Sequence, residues 1–253
     1  MELVANYEER VKMISYKAIS DIGKVRQNNE DTIKVAQNKF GDFMFLVADG
    51  MGGHKAGDVA SKIVGEIVEK AFSNLEQRID YENFLQNVVI NANKEVYKQS
   101  LLNINFDKMG TTLSILILSR NTIYIGHIGD SRIYYLANNK IIQLTKDHTL
   151  VQAMIDAKTL TIEESKNASY KNILLQAIGT SKNIKLDIKT AKIPKECQFI
   201  LCSDGLTGKV DDQEILNIMN QELTIEEKVR SLIDLANNKD GSDNVSVIGI
   251  ERK

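Results

Sequence analysis

Apolar positions in this chain come in short bursts, many of them alternating with polar ones. Gly, Asn, Asp and Ser bound the bursts, which therefore predict β-strands. They are "YKAIS" (16–20), "TIKVA" (32–36), "DFMFLVA" (42–48), "TTLSILILS" (111–119), "TIYIGHIG" (122–129), "RIYYLAN" (132–138), "KIIQLT" (140–145), "KLDIKTAKI" (185–193), "QFILCS" (198–203) and "NVSVIGIE" (244–251). Asn138-Asn139-Lys140, between two of these runs, predicts an antiparallel hairpin. Helical spacing of apolar residues covers 56–75 and 83–102. A third helix opens at Thr224 and Glu227, the spacing of a capping box. Thr161 and Glu164 repeat that spacing inside 147–176, a region without strand character. Strands arrive in runs, not singly between helices, so the pattern predicts an α+β fold with helices packed outside antiparallel sheets. Nothing resembling a linker or a repeat interrupts it. Pro194 reads as a turn, and 1–253 is expected to be a single domain.

Composition narrows the class without naming a chemistry. The 253 residues are 43% hydrophobic and 26% charged, enough to build one sizeable core. A formal net charge of -2 gives no global attraction to nucleic acid or to an anionic membrane. No apolar run approaches the roughly 20 residues of a membrane helix, and the N-terminus mixes acids and bases without the apolar core of a secretory signal. Cys197 and Cys202 lie in or beside one strand-like segment, a poor framework for a disulfide. A soluble protein of the reducing cytoplasm is expected.

The candidate chemistry lies where strands end. Asp49-Gly50, Asp130 and Asp204-Gly205 follow strand-like runs; Glu30-Asp31 and Asp243-Asn244 precede them. Each alone is ordinary turn chemistry. Taken together, they are hard oxygen donors suited to Mg²⁺ or Mn²⁺, and like charges brought to one edge would repel unless cations neutralised them. The glycine-rich "DGMGGHKAG" (49–57) ends in neither the GK[ST] of a P-loop nor a G-x-G-x-x-G register. "DGSDNVS" (240–246) lacks the glycine an EF-hand needs at its sixth position, which is Val245.

Eight motifs in order make the arrangement recognisable: "SDIGKVRQNNED" (20–31), "VADGMGGHKAGDVAS" (47–61), "MGTTL" (109–113), "HIGDSRIYYL" (127–136), "LTKDHTLV" (144–151), "AIGT" (177–180), "LCSDGLTGKV" (201–210) and "DNVSVI" (243–248). On these motifs the chain resembles the metal-dependent type 2C serine/threonine protein phosphatases, in their compact bacterial branch. The resemblance implies a four-layer αββα sandwich, two antiparallel sheets flanked by helix pairs, with a flap at 147–176 and residues 1–14 as an extension. It also implies two core Mn²⁺ or Mg²⁺ ions and a weaker third. Asp49 would bridge the two, and Gly50 would give its carbonyl to one. Asp204 and Asp243 would complete one ion, while Glu30 and Asp31 would serve the other directly or through water. Asp130 would hold the third with Asp204. Arg26 would grip the substrate phosphate. Met51 stands where eukaryotic relatives carry a histidine; nearby His54, typical of the bacterial branch, is the candidate to donate a proton or orient a water, its alternative being a structural or exposed residue of the loop.

The implied activity is hydrolysis of phosphoserine and phosphothreonine in proteins by a metal-bridged water attacking in line, without a phosphoenzyme. Such an enzyme would act as a monomer, reverse a cognate bacterial Ser/Thr kinase, and need neither nucleic acid nor membrane insertion. The competing class is a non-catalytic phosphatase-like binding domain, which should show lost ligands; here the set is intact. Gln176, where relatives often carry arginine, and Ala157-Lys158, where they often carry a glycine, bear on substrate preference and not on the reaction.

Overall fold

The structure, a computed structural model, describes residues 14–52, 56–106, 108–166, 168, 170, 172–194 and 196–252. Eleven strands among these residues form two antiparallel sheets. β1 (Ile14–Asp21), β11 (Val245–Arg252), β10 (Cys197–Cys202), β7 (Arg132–Ala137) and β8 (Lys140–Gln143) make the first, in that order. β2 (Asp31–Gln37), β3 (Phe43–Met51), β5 (Leu113–Ser119), β6 (Thr122–Ile128) and β9 (Asp187–Lys192) make the second, and β4 (Gly110–Thr111) pairs with the end of β3. β1 starts at Ile14, so it takes the last residue of the expected 1–14 extension; residues 1–13 lie outside the described residues.

The sheets pack face to face because the central strands are apolar on both sides. Phe43, Phe45 and Val47 of β3 point inward with Phe199 and Leu201 of β10 and Ile248 and Ile250 of β11. Their neighbours Met44, Leu46 and Ala48 point outward, beneath α1 (Ala56–Ser73) and α2 (Tyr81–Leu102). This is why "FMFLVA" reads as an unbroken apolar run: both faces are covered. On the other side, Ile200, Cys202, Val245 and Val247 pack beneath α6 (Asp212–Met219) and α7 (Ile225–Lys239). The four layers are therefore helices, sheet, sheet, helices, as expected.

Local signals also act as predicted. Asn138 and Asn139 take positive φ in the β7–β8 hairpin, and the Thr224–Glu227 capping box opens α7. Two helices run differently from the apolar spacing. α1 stops at Ser73, and α2 begins two residues early, where Asp80 accepts a hydrogen bond from the Glu82 N–H as its cap. α6 was not foreseen, because two turns give little periodicity; its own capping box is Asp211 with Glu214. Between β8 and β9 lie α3 (Leu150–Asp156) and α4 (Ile162–Lys166), inside the expected flap, whose only pairing among the described residues is the isolated bridge Thr149–Leu174. A short helix, α5 (Asp204–Thr207), follows β10.

Candidate metal centre

Sheet register brings the acidic strand ends together. Asp31 opens β2 and lies directly opposite Asp49 near the end of β3. β10 runs into Asp204 and β11 runs out of Asp243 at the matching edge of the other sheet. A hydrogen bond between the sheets joins these edges, the Ser203 hydroxyl donating to Asp31 Oδ2 at 2.7 Å. Asp130 sits in the β6–β7 turn, close enough to the Asp204 carboxylate to feel its charge.

The residues beside the acids fasten them. The Asp49 N–H donates to the Thr112 hydroxyl at 2.9 Å, and the Asp49 carbonyl accepts from the Thr111 hydroxyl and the Thr112 N–H. Thr112 Oγ1 lies 2.6 Å from Ser131 Oγ, which ties the "GTT" segment to the turn that carries Asp130. Asn244 accepts from the Glu30 N–H and donates to the carbonyls of Ile22 and Asn28, pinning the loop that holds Arg26. Asn29 accepts from the Asp31 N–H. Arg132 forks onto Asp147, with Nη2 at 2.7 Å from Oδ2. These fasteners stand inside motifs visible in the sequence, yet no role follows for them until their distant partners are known.

Gly50 has a steric reason as well as an expected role as a carbonyl donor. A Cβ there would lie 2.2 Å from the Gly57 carbonyl oxygen and 2.5 Å from that of Glu30. Glycine lets the first turn of α1 press against β3, so Glu30 Oε2 lies against Gly57. Asp58, in that same turn, faces Glu30 and helps burial raise its carboxyl above the usual range, against the pull of Arg26. The sequence reading assigned Asp58 nothing.

Burial and mutual repulsion raise most of these carboxyls. Burial lifts Asp31 to about 6, against hydrogen bonds from Ser246 and Ser203. It lifts Asp130 to about 7, helped by Asp204 and Asp147. Asp49 is pushed well up by burial and then by the charges of Asp31, Asp204, Asp130 and Asp243. Asp204 is raised by burial and Asp243.

Among the described residues, no group of three or more His, Cys, Asp or Glu side chains forms a finished metal cage. Asp243 is turned onto Arg26, with Nη2 to Oδ1 at 2.9 Å, and Asp31 onto Ser203. The donors nevertheless fit hard divalent cations. They are carboxylates and a backbone carbonyl, and Asp31 Oδ1 is buried without a hydrogen-bond partner. So many buried like charges favour a site that takes up positive charge.

Of the expected residues, the structure brings together Asp31, Asp49, Gly50, Asp130, Asp204 and Asp243, with Glu30 and Arg26 at the rim. His54 lies outside the described residues. The remaining histidines belong to the framework. His127 is buried in β6, bonded to Ser114 Oγ and the Lys146 carbonyl, and His148 contacts Asp187 and the Gly129 peptide.

Residues 23–239 match the family model described as protein phosphatase 2C. Over 236 residues, 92% of this chain and 94% of the relative, the sequence is 36% identical to the serine/threonine phosphatase Stp of Listeria monocytogenes. The fold is similar to that of the S. agalactiae serine/threonine phosphatase, with a TM-score of 0.90 and 30% identity, covering 95% of this chain and 100% of that one. It is also similar to the catalytic domain of the phosphatase PstP in complex with two manganese ions. There the TM-score is 0.85 and the identity 32%, over 94% of this chain and 98% of that one.

Proposed function

Because the chain belongs to the protein phosphatase 2C family and is a metal-dependent protein-serine/threonine phosphatase, we propose that its buried aspartates are the ligands of that activity. Asp49 would bridge two cations, Mn²⁺ or Mg²⁺. The Gly50 carbonyl would serve one of them, Asp204 and Asp243 would complete one, and Glu30 and Asp31 would serve the other directly or through water. Asp130 and Asp204 would hold a weaker third. The observation that supports this most is Asp31 Oδ1, buried, unpaired and directly across from Asp49.

When bound, two such cations supply Lewis acidity and a more acidic water for in-line attack at phosphorus. The chain's own groups do the rest. Arg26 is half exposed and held by the Asp243 carboxylate and a longer hydrogen bond from its Nε to the Ser242 carbonyl, so it can turn its planar fork to two phosphoryl oxygens. The Ser203, Thr112 and Asn244 hydrogen bonds keep the aspartates from relaxing apart. No thiol serves as nucleophile: burial pushes Cys197 up to about 11 and Cys202 up to about 12, and both are buried in β10. That fits direct hydrolysis without a phosphoenzyme. His54, five residues beyond Asp49, is the proposed proton donor to the leaving oxygen. A non-catalytic binding domain is disfavoured, because every acidic ligand position is filled.

The substrates are phosphoserine and phosphothreonine proteins. A cognate Ser/Thr kinase, a monomeric state and a cytoplasmic location complete the proposal. The two free cysteines support the last, and among the described residues no helix is long and apolar enough to cross a membrane. The test is turnover of a phosphothreonine peptide with Mn²⁺ and with chelator. Hydrolysis that appears only with Mn²⁺, and falls at least ~100-fold in Asp204→Asn, is expected. Mn²⁺-independent turnover, or full activity in Asp204→Asn, overturns the ligand assignment.

A further inference from the structure

His148 stands where the flap leaves the sheets, and it holds four separate groups. Its N–H donates to the Gly129 carbonyl at 2.7 Å, and the Gly129 N–H donates back to its ring at Nδ1, 3.2 Å away. Its own carbonyl accepts the Leu175 N–H at 2.8 Å, on the returning arm of the flap. Its Nε2 lies 3.2 Å from Asp187 Oδ2 at the start of β9. Only 9% of the side chain is exposed.

These contacts fix the tautomer. Nδ1 accepts a hydrogen bond, so the ring proton sits on Nε2, and Nε2 faces a carboxylate that accepts it. A backbone pairing alone would need no imidazole at this position. The ring acceptor completes a two-sided grip on one residue, Gly129, which precedes Asp130. Gly129 cannot yield inward. It has φ +107°, and a Cβ there would lie 2.6 Å from Thr112 Cβ. Thr112 in turn holds the Asp49 backbone.

We propose that His148 is a positioning residue: held in one tautomer by Asp187, it clamps Gly129 from both sides, and so sets where Asp130 presents its carboxylate while fastening the flap's return to the same turn. The proposal rests on the reading of Asp130 as a ligand of the weaker cation. A neutral packing role would be satisfied by any side chain of similar size. A clamp needs an acceptor where Nδ1 stands, which Asn can supply and Ala cannot.

The test is direct Mn²⁺ titration of the full-length protein, reading free Mn²⁺ by its electron paramagnetic resonance signal, alongside amide exchange at Gly129. In His148→Ala and Asp187→Ala the weakest Mn²⁺ site should lose affinity by about tenfold or more, with the tighter sites unchanged and Gly129 exchanging faster. His148→Asn should stay within about threefold of wild type and keep the Gly129 amide protected. Unchanged exchange at Gly129 in His148→Ala overturns the clamp, as does equal damage from Ala and Asn. If Asp130→Asn itself keeps every Mn²⁺ site, the ligand reading of Asp130 has failed; faster Gly129 exchange in His148→Ala, restored by Asn, then still supports the clamp. Should His148→Ala not fold, Asp187→Ala, which retains the ring, decides by the same two readings.

Discussion

At the scale of single residues, acids and their fasteners divide the labour across large sequence separations. Asp31 depends on Ser203, 172 positions away, and Glu30 on Asn244, 214 away. The acids were legible because Asp and Glu at strand ends are natural ligands of hard cations. The fasteners were not, because a serine or asparagine announces no partner until the fold supplies one. Asp58 stayed hidden for the same reason. His127 gives a residue-scale prediction. Burial and the neighbouring His148 lower it to about 4, while Asp147, the Lys146 carbonyl and Asp187 pull the other way. Its folded value lies below its unfolded one, so its contribution is full above about pH 6.5 and is lost as pH falls toward about 4. By about pH 5 the loss is about 2 kcal/mol. The raised carboxyls shift stability the other way over this range, so urea unfolding near pH 7 and pH 5 should show the loss as a difference: the wild type should fall by about 2 kcal/mol relative to His127→Gln.

At the scale of elements, period-two patterning located the strands because the sandwich buries one or both faces of each. Helix ends were less legible than helix middles. An apolar stripe reports what faces the sheet, whereas Asp80 and Asp211 set the starts of their helices through hydrogen bonds to backbone N–H groups. The junction of β3 with α1 and the cap of α7 should answer differently to mutation. Gly50→Ala drives a methyl into two backbone carbonyls, so it should cost about 1–3 kcal/mol and also depress turnover. Thr224→Ala removes only a cap, costing about 1 kcal/mol with turnover retained. Denaturant midpoints together with peptide hydrolysis separate the two. A Gly50→Ala protein with wild-type stability would contradict the packing described here.

At the scale of the molecule, the centre lies across the edges of both sheets, so its electrostatic strain is borne by the whole sandwich. Raised carboxyls on Asp31, Asp49, Asp130 and Asp204 mean that cation binding should stabilise the folded chain. Mn²⁺ at about 100 times its dissociation constant should add about 3 kcal/mol, read as a rise of about 5 °C or more in melting temperature. Asp49→Asn should lose most of that rise. Strand order was the part least visible in the sequence, since nothing in "NVSVIGIE" says that it pairs with both "YKAIS" and "QFILCS". Yet β11, the last of the described strands in sequence order, lies between β1 and β10 and carries Asp243 at its head. During synthesis the edge that carries these acids therefore has no complete form until β11 has left the ribosome.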